Sequence, residues 1–217
     1  MARARIVDIG TQVRNGVETQ VIWLAPAAAL LLGYLLGSIP FGVLLTRWGG
    51  AGDVRQIGSG NIGATNVLRT GRKGLAAATL VLDALKGVAA VLIVSHWSPA
   101  DAPLAAAGAF LGHCYPVWLR FKGGKGVATL LGIALALHWP VGLVYAAVWL
   151  GVLLVLRISS LAGMLAAVSA PVAAALFERF DLVLLFLSLA LILMWKHREN
   201  VERLLAGTEP RVGRSRA

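Results

Sequence analysis

The sequence predicts an all-α integral membrane protein of seven transmembrane helices, some of them short, with the N-terminus outside and the C-terminus cytoplasmic. Three observations predict it. The 217 residues are 58% hydrophobic and only 14% charged, with a mean hydropathy of +0.78, whereas a soluble domain carries about a quarter charged residues. Seven apolar runs stand out, at about 21–46, 74–95, 103–119, 127–138, 140–156, 160–178 and 180–195. The cations fall between alternate runs, as the positive-inside tendency requires.

Composition also narrows the function classes. A net charge of +10 can signal nucleic acid, but basic and aromatic residues are not interleaved on a soluble face, so membrane orientation explains the charge better. The one cysteine, Cys114, excludes a disulfide within the chain and any thiolate zinc or iron–sulfur site; its small apolar side chain suits a buried position. The acidic residues are scattered, with no paired-aspartate cluster of the kind that holds Mg²⁺ in membrane phosphotransferases.

Taken in order, residues 1–20 form a polar N-terminal extension in which Ile6, Ile9, Val13 and Val17 recur at the spacing of a helix lying on the membrane surface. A catalytic membrane domain of seven spans follows over 21–195, and a basic cytoplasmic tail over 196–217. The first span contains Gly33, Gly37 and Gly42, which permit close helix packing. Val127 to Leu156 could be one long helix kinked at Pro140 or two short helices turning at His138, Trp139 and Pro140. Charge decides for two. With seven spans, Arg47, Arg55, Arg69, Arg72, Lys73, Arg120, Lys122, Lys125, Arg157 and the cations of the tail lie inside, and only Arg3, Arg5, Arg14 and Arg179 lie outside. Six spans would put the basic tail outside.

Three inside segments carry candidate chemistry. The first is GSGNIGATNVLRTGRKG, residues 58–74. Gly58, Gly60, Gly63 and Gly71 let the backbone turn tightly, Ser59, Asn61, Thr65 and Asn66 supply short neutral donors, and Arg69, Arg72 and Lys73 add positive charge. Phosphate suits such a bend because its oxygens accept many hydrogen bonds and its charge needs compensation; an ordinary cytoplasmic connector has the same composition. The second is RFKGGKG, residues 120–126, in which Gly123, Gly124 and Lys125 precede a helix start near Val127. It is not a nucleotide P-loop, which needs Ser or Thr after the lysine and a glycine five residues before it, where this chain has Gly126 and Arg120. The third is HRENVERLL, in which His197 and Asn200 lie one helical turn apart.

Two pairs have other readings. Asp83 and Lys86, three residues apart within the second span, form a structural pair that faces protein or a watery cavity. His96 and Asp101 have the His-x4-Asp spacing of one large class of glycerolipid acyltransferases, but they fall on an outside loop away from every glycine-rich segment.

Together GSGNIGATN (58–66), GHCYP with FKGGKG (112–126) and HREN (197–200), supported by GSIPFG (37–42) and LDALKG (82–87), resemble the bacterial acyl-phosphate:glycerol-3-phosphate acyltransferase family of the PlsY type over about 25–209. The N-terminal extension is a departure from the family pattern. The resemblance implies transfer of a fatty acyl group from acyl phosphate to the 1-hydroxyl of glycerol 3-phosphate, giving lysophosphatidic acid and phosphate, at the cytoplasmic face of a bacterial inner membrane. It implies that Ser59, Thr65, Asn66, Arg69, Lys125, His197 and Asn200 hold the two phosphates, with Gly60, Asn61, Gly123, Gly124 and Ser160 contributing. Ser59, Lys125 and His197 would be the most critical, with no protein general base, cofactor, metal or nucleic acid. Its partners would be the two substrates and the bilayer, with a monomer plausible. A different class, a small transporter of an anionic solute, would line a path across the bilayer with polar groups, whereas here only Asp83 and Lys86 lie at depth.

Overall fold

A computed structural model describes residues 9–213, with side-chain surroundings from residue 23 onwards. The described residues form ten α-helices, most joined by short turns but with longer loops over 49–63 and 115–126, and each of the seven apolar runs is largely helical. Helix α1 (Ile9–Gly37) breaks at Ser38–Pro40, where proline cannot donate to the helical ladder, and α2 (Phe41–Trp48) completes the first run. The surface helix expected over 1–20 falls largely outside the described side chains: residues 1–8 are not described, and from Ile9 the backbone runs as helix into the first span.

After the one-turn-and-a-bit α3 (Ala64–Leu68) come α4 (Lys73–Trp97) and α5 (Ala102–Cys114). Then α6 (Val127–Leu137) and α7 (Trp139–Leu156) form the next pair. His138, extended at φ −158° and ψ 97°, separates them, and Pro140 in the first turn of α7 is tolerated there, so the two-helix reading holds. The last pair is α8 (Ser159–Leu176) and α9 (Phe180–Lys196), with α10 (Arg198–Leu205) bent 60° from α9 at His197. Four segments are long and apolar enough to cross a membrane, Trp23–Trp48, α4, α7 and α8, or five if α9 and α10 count as one bent span. The others are short: α5 has 13 residues and α6 has 11, which at about 1.5 Å per residue span less than a ~30 Å hydrocarbon core.

Glycines set how closely the helices approach. A Cβ at Gly33 or Gly37 would run into the Ala105 and Ala109 carbonyls of α5, and one at Gly108 or Gly112 into the Leu30 and Tyr34 carbonyls of α1. The same reciprocity joins α4 and α6, where Gly87 faces the Thr129 carbonyl and Gly132 the Ala84 carbonyl. In a bilayer, where hydrophobicity does not distinguish neighbour from lipid, such close van der Waals seams drive association. The interior is correspondingly small-residue rich, with Phe110, Leu130, Ile133, Tyr145 and Phe186 filling it among many alanines.

One buried ionic cluster ties these seams together. The Lys86 ammonium lies 2.7 Å from Asp83 Oδ1 and donates to the Ile39 carbonyl at 2.8 Å, while His113 Nδ1 lies 3.6 Å from the same carboxylate. Asp83 and Lys86 are thus paired on one face of α4, as their spacing predicts, and they also pin the break between α1 and α2.

Candidate active site

The loop before α3 is knotted by one side chain. Asn66, 2% exposed, donates through Nδ2 to the carbonyls of Val54, Ile57 and Asn61, at 2.9, 2.8 and 2.8 Å. Its Oδ1 accepts from the Ser59 N–H at 3.2 Å. Gly58 and Gly60 have φ of +54° and +69°, left-handed values that glycine adopts without strain, and a Cβ at Gly58 would overlap the side chains of Arg69 and Asn66. Asn61 accepts from the Gly63 N–H at 2.8 Å and so caps the turn into α3. The folded loop leaves Ser59, Asn61, Thr65 and Arg69 on the rim of a cavity of ≈ 130 Å³.

The glycine-lysine loop is shaped from below. The N–H groups of Gly123 and Gly124 donate to the carbonyls of Cys114 and His113 at 3.2 and 3.0 Å, closing the loop onto the C-terminal end of α5. A Cβ at Gly124 would enter the His113 ring, and one at Gly126, where φ is +90°, the Phe110 ring. The chain therefore turns into α6 with Lys125 aimed at the cavity.

From the opposite side, His197 sits at the bend after α9, 3% exposed, with Nδ1 2.9 Å from the Leu193 carbonyl. A carbonyl can only accept, so Nδ1 carries the proton and Nε2 is left as an acceptor. Asn200, one turn on, accepts from the Lys125 ammonium through Oδ1 and donates through Nδ2 to Glu209 Oε1 at 2.6 Å. Ser160, at the start of α8, donates to the same oxygen at 2.6 Å, and Arg203 Nε donates to Glu209 Oε2 at 2.6 Å. Thr65 and the neighbouring Ser159 exchange a hydroxyl hydrogen bond at 2.8 Å across the mouth. Leu80, Val127 and Trp149 make an apolar wall, and Asp83 and His113 lie at the floor.

Electrostatics follow from this half-dry setting. Burial, reinforced by the nearby Arg203, lowers the Lys125 ammonium to about 8, with Glu199 and Glu209 opposing the shift. Burial likewise lowers His197 to about 4, against the hydrogen bond to Leu193, so the imidazole is neutral near pH 7. The Glu209 carboxyl is pushed up by burial, but hydrogen bonds from Ser160, Asn200 and Arg203 more than offset this and hold it below its ordinary value.

Of the residues expected at the site, Ser59, Asn61, Thr65, Asn66, Arg69, Lys125, Ser160, His197 and Asn200 line this one cavity. Gly60, Gly123 and Gly124 do not. The N–H groups of Gly123 and Gly124 are spent on α5 because the loop must satisfy that helix end. Asn66 borders the cavity but its amide is fully engaged inside the loop, so it builds the site instead of offering donors to it. Ser159, Arg203 and Glu209 were missed. Ser159 adjoins Ser160, and Arg203 lies three residues after Asn200 on α10, so helical register could have found both. Glu209 is a lone acid beyond Gly207 in a basic tail, with no periodic signal. His96 lies in the last turn of α4, about 35 Å from Lys73 by helical rise, and Asp101 lies in the turn beyond it, where its carboxylate takes a hydrogen bond from Ser98 at 2.5 Å.

Comparison with known proteins gives a consistent set of similarities. A family model described as glycerol-3-phosphate acyltransferase matches residues 27–207. A glycerol-3-phosphate acyltransferase of Mesorhizobium japonicum is 60% identical over 185 residues, covering 85% of this chain and 95% of that protein. One from Caulobacter vibrioides is 54% identical over 200 residues, covering 90% and 92%. Two crystal structures of PlsY (YgiH), an integral membrane glycerol 3-phosphate acyltransferase, superimpose on the chain. The glycerol 3-phosphate form gives a TM-score of 0.82 at 38% identity, covering 87% of this chain and 96% of that one. The lysophosphatidic acid form gives 0.79 at 36%, covering 87% and 95%.

Proposed function

The chain belongs to the glycerol-3-phosphate acyltransferase family, and on that premise we propose that it transfers a long-chain acyl group from acyl phosphate to the 1-hydroxyl of glycerol 3-phosphate. The products are lysophosphatidic acid and inorganic phosphate, and the reaction opens phospholipid synthesis. The observation that carries the reading is the convergence of Arg69, Lys125 and Arg203 with the hydroxyls of Ser59, Thr65 and Ser160 on one cavity with an apolar wall. Two phosphate groups of about −1.5 to −2 charge each meet in such a site, and cations with short donors offset their repulsion. The named forms of the PlsY crystals, glycerol 3-phosphate and lysophosphatidic acid, support phosphomonoesters as acceptor and product.

In this mechanism the glycerol hydroxyl oxygen attacks the acyl carbonyl, the new ester C–O bond forms, and the C–O bond to phosphate breaks. The hydroxyl proton passes to a phosphate oxygen, so no protein base is needed. Neutral His197, with Nε2 as acceptor, suits the glycerol hydroxyl better than a phosphate oxygen. An acyl phosphate already has a good leaving group, and holding the reactants in register supplies much of the acceleration. Lys125 must be charged to hold phosphate. In the free enzyme kcat/KM for glycerol 3-phosphate is therefore expected to fall as pH rises through about 8, and the Lys125→Arg variant, charged at every accessible pH, to lose that alkaline limb even at a lower rate. A flat wild-type profile from pH 7 to about 9.5 would remove Lys125 from the phosphate site.

The donor and the metal give a second test. Palmitoyl phosphate should support turnover and palmitoyl-CoA should not, because a thiolate leaving group lacks the phosphate these donors suit and the short loops offer no aromatic platform for adenine. Turnover should survive EDTA. Among the described residues no group of three His, Cys, Asp or Glu side chains could hold a metal ion, and the two cavity carboxylates, Asp83 and Glu209, are already paired with Lys86 and Arg203. Robust turnover of palmitoyl-CoA, or loss in EDTA restored by Mg²⁺, contradicts the mechanism.

We further propose that the chain crosses a bacterial cytoplasmic membrane seven times, with the N-terminus outside and the cavity on the cytoplasmic side. Loops before α4, after α5, before α8 and after α9 all reach one cavity, so the helices between them come in pairs that leave one end of the bundle and return. The exposed aromatics support the same alternation. Trp48, Trp118, Phe121 and Trp195 lie at the cavity end of their segments, whereas Trp23, Trp97, Trp139 and Phe180 lie at the other, as in two interfacial belts. With Cys114 replaced, single cysteines at Ser98 and at the exposed Lys122 of the loop after α5 should be labelled and protected, respectively, by an impermeant reagent on intact cells. Labelling at Lys122 sinks this topology. The polar groups gather at one end of the bundle, which favours a transferase over an exporter.

A further inference from the structure

Three donors from two separate elements converge on one carboxylate that no substrate role requires. The Glu209 side chain is only 7% exposed, although the flanking Thr208 and Pro210 are exposed. Ser160 from the start of α8 and Asn200 from α10 share Oε1, Arg203 from α10 takes Oε2, and the strand of tail that carries Glu209 is tied down where the Val212 N–H donates to the Arg157 carbonyl at 2.7 Å. The Asn200 amide is the pivotal group. It has one accepting and one donating end, and because Nδ2 is drawn to Glu209, Oδ1 is turned to the Lys125 ammonium. A flipped amide would set an N–H against an ammonium.

We propose that Glu209 is a positioning residue of the phosphate site: it fixes the Asn200 amide in the orientation that anchors Lys125, and holds Ser160 and Arg203 beside it. The inference rests on the transferase reading above and names a residue through which that site is assembled. Glu209 touches no substrate. It remains in place during turnover, because its three donors would otherwise be left unpaired in a half-buried setting.

Charge gives the proposal a signature that a purely structural acid lacks. Lys125 is faced by Arg203, Glu199 and Lys196 from α9 and α10, by Glu209 from the tail and by neutral His197, with Arg69 and the paired Asp83 on the same cavity. Burial and the cations lower its pKa, and Glu209 is one of the two carboxylates that counter them. Removing that negative charge makes the ammonium easier to deprotonate.

The test uses full-length protein purified in detergent, with palmitoyl phosphate and glycerol 3-phosphate. Turnover by the wild-type protein tests the transferase reading on its own. In Glu209→Gln the alkaline limb of kcat/KM for glycerol 3-phosphate should move down by about half a pH unit, and KM for glycerol 3-phosphate should rise about tenfold with a smaller change in kcat. In Glu209→Asp, which keeps the charge but shortens the reach, the limb should stay while KM rises. A Glu209→Gln protein with the wild-type limb and KM overturns the proposal. So does a faster variant, which would make the carboxylate a plug, and so does a loss that merely tracks the amount of folded protein. If Glu209→Gln yields no folded protein, Glu209→Asp decides: a raised KM at an unmoved limb supports positioning, and an unchanged KM refutes it.

Discussion

Replacing Lys125 by alanine is expected to lower turnover of palmitoyl phosphate and glycerol 3-phosphate about 100-fold or more while leaving the folded protein intact. A charge-assisted contact to phosphate is worth about 1.5–3 kcal/mol, and more where water is largely excluded; a factor of 100 is about 2.7 kcal/mol. Lys125 is half-buried between its loop and α10 and holds no other cation's place. Its removal leaves Asn200 Oδ1 able to take water from the cavity, so the cost falls on the substrate and not on the fold. Arg69→Ala should fall by a similar factor, since Arg69 is the cation supplied to the cavity by the opposite loop. Lys73, which opens α4 and does not line the cavity, serves as the control, with Lys73→Ala expected within about twofold of wild type. Initial rates at equal amounts of folded protein check all three. A near-normal rate for Lys125→Ala or Arg69→Ala would take that residue out of the site.

The second large effect should come from Asn66→Ala, by another route. Its amide closes three backbone carbonyls and one N–H around the loop from Val54 to Asn61. Alanine leaves those groups to pair with water or with nothing, and each one left buried and unpaired costs about 1–3 kcal/mol. The loop should open, Ser59 and Arg69 should lose their register, and activity should fall about 100-fold or more together with a lower thermal midpoint. That fall in midpoint separates Asn66 from Lys125. An Asn66→Ala protein with a wild-type midpoint and reduced binding would make the amide a substrate ligand after all.

Asn66 shows where sequence reading stops. An asparagine in a glycine-rich loop offers the same amide to a phosphate or to its own backbone, and only the folded geometry tells which takes it. Gly123 and Gly124 carry the same ambiguity, because a missing Cβ permits either a bound anion or a close helix, and here the rings and carbonyls of α5 fill the space. What was legible rested on period and charge. The apolar runs emerged as helices, and the break at His138 could be foreseen because one continuous helix would have carried the basic tail to the other side. Ser59, Arg69, Lys125 and His197 could be found because each sits in a polar segment that interrupts apolar sequence. Glu209 sits in no such segment, and its place at the cavity arises from where the chain returns after α10.

The reciprocal glycine seams bear on how the protein is made. Helix α1 finds its partner surface only when α5 follows, with residues 38–101 of the chain between them, and α4 waits in the same way for α6. The cavity then takes its last side chains from α10 and the tail. Synthesis proceeds from the N-terminus, so the early helices must reside in the bilayer as provisional neighbours of lipid, their grooves open, until late segments are delivered. The site is therefore unfinished for nearly the whole length of the nascent chain, and a ribosome that stalls before the tail leaves Arg69 and Lys125 without the His197, Asn200 and Arg203 side chains that complete the cavity.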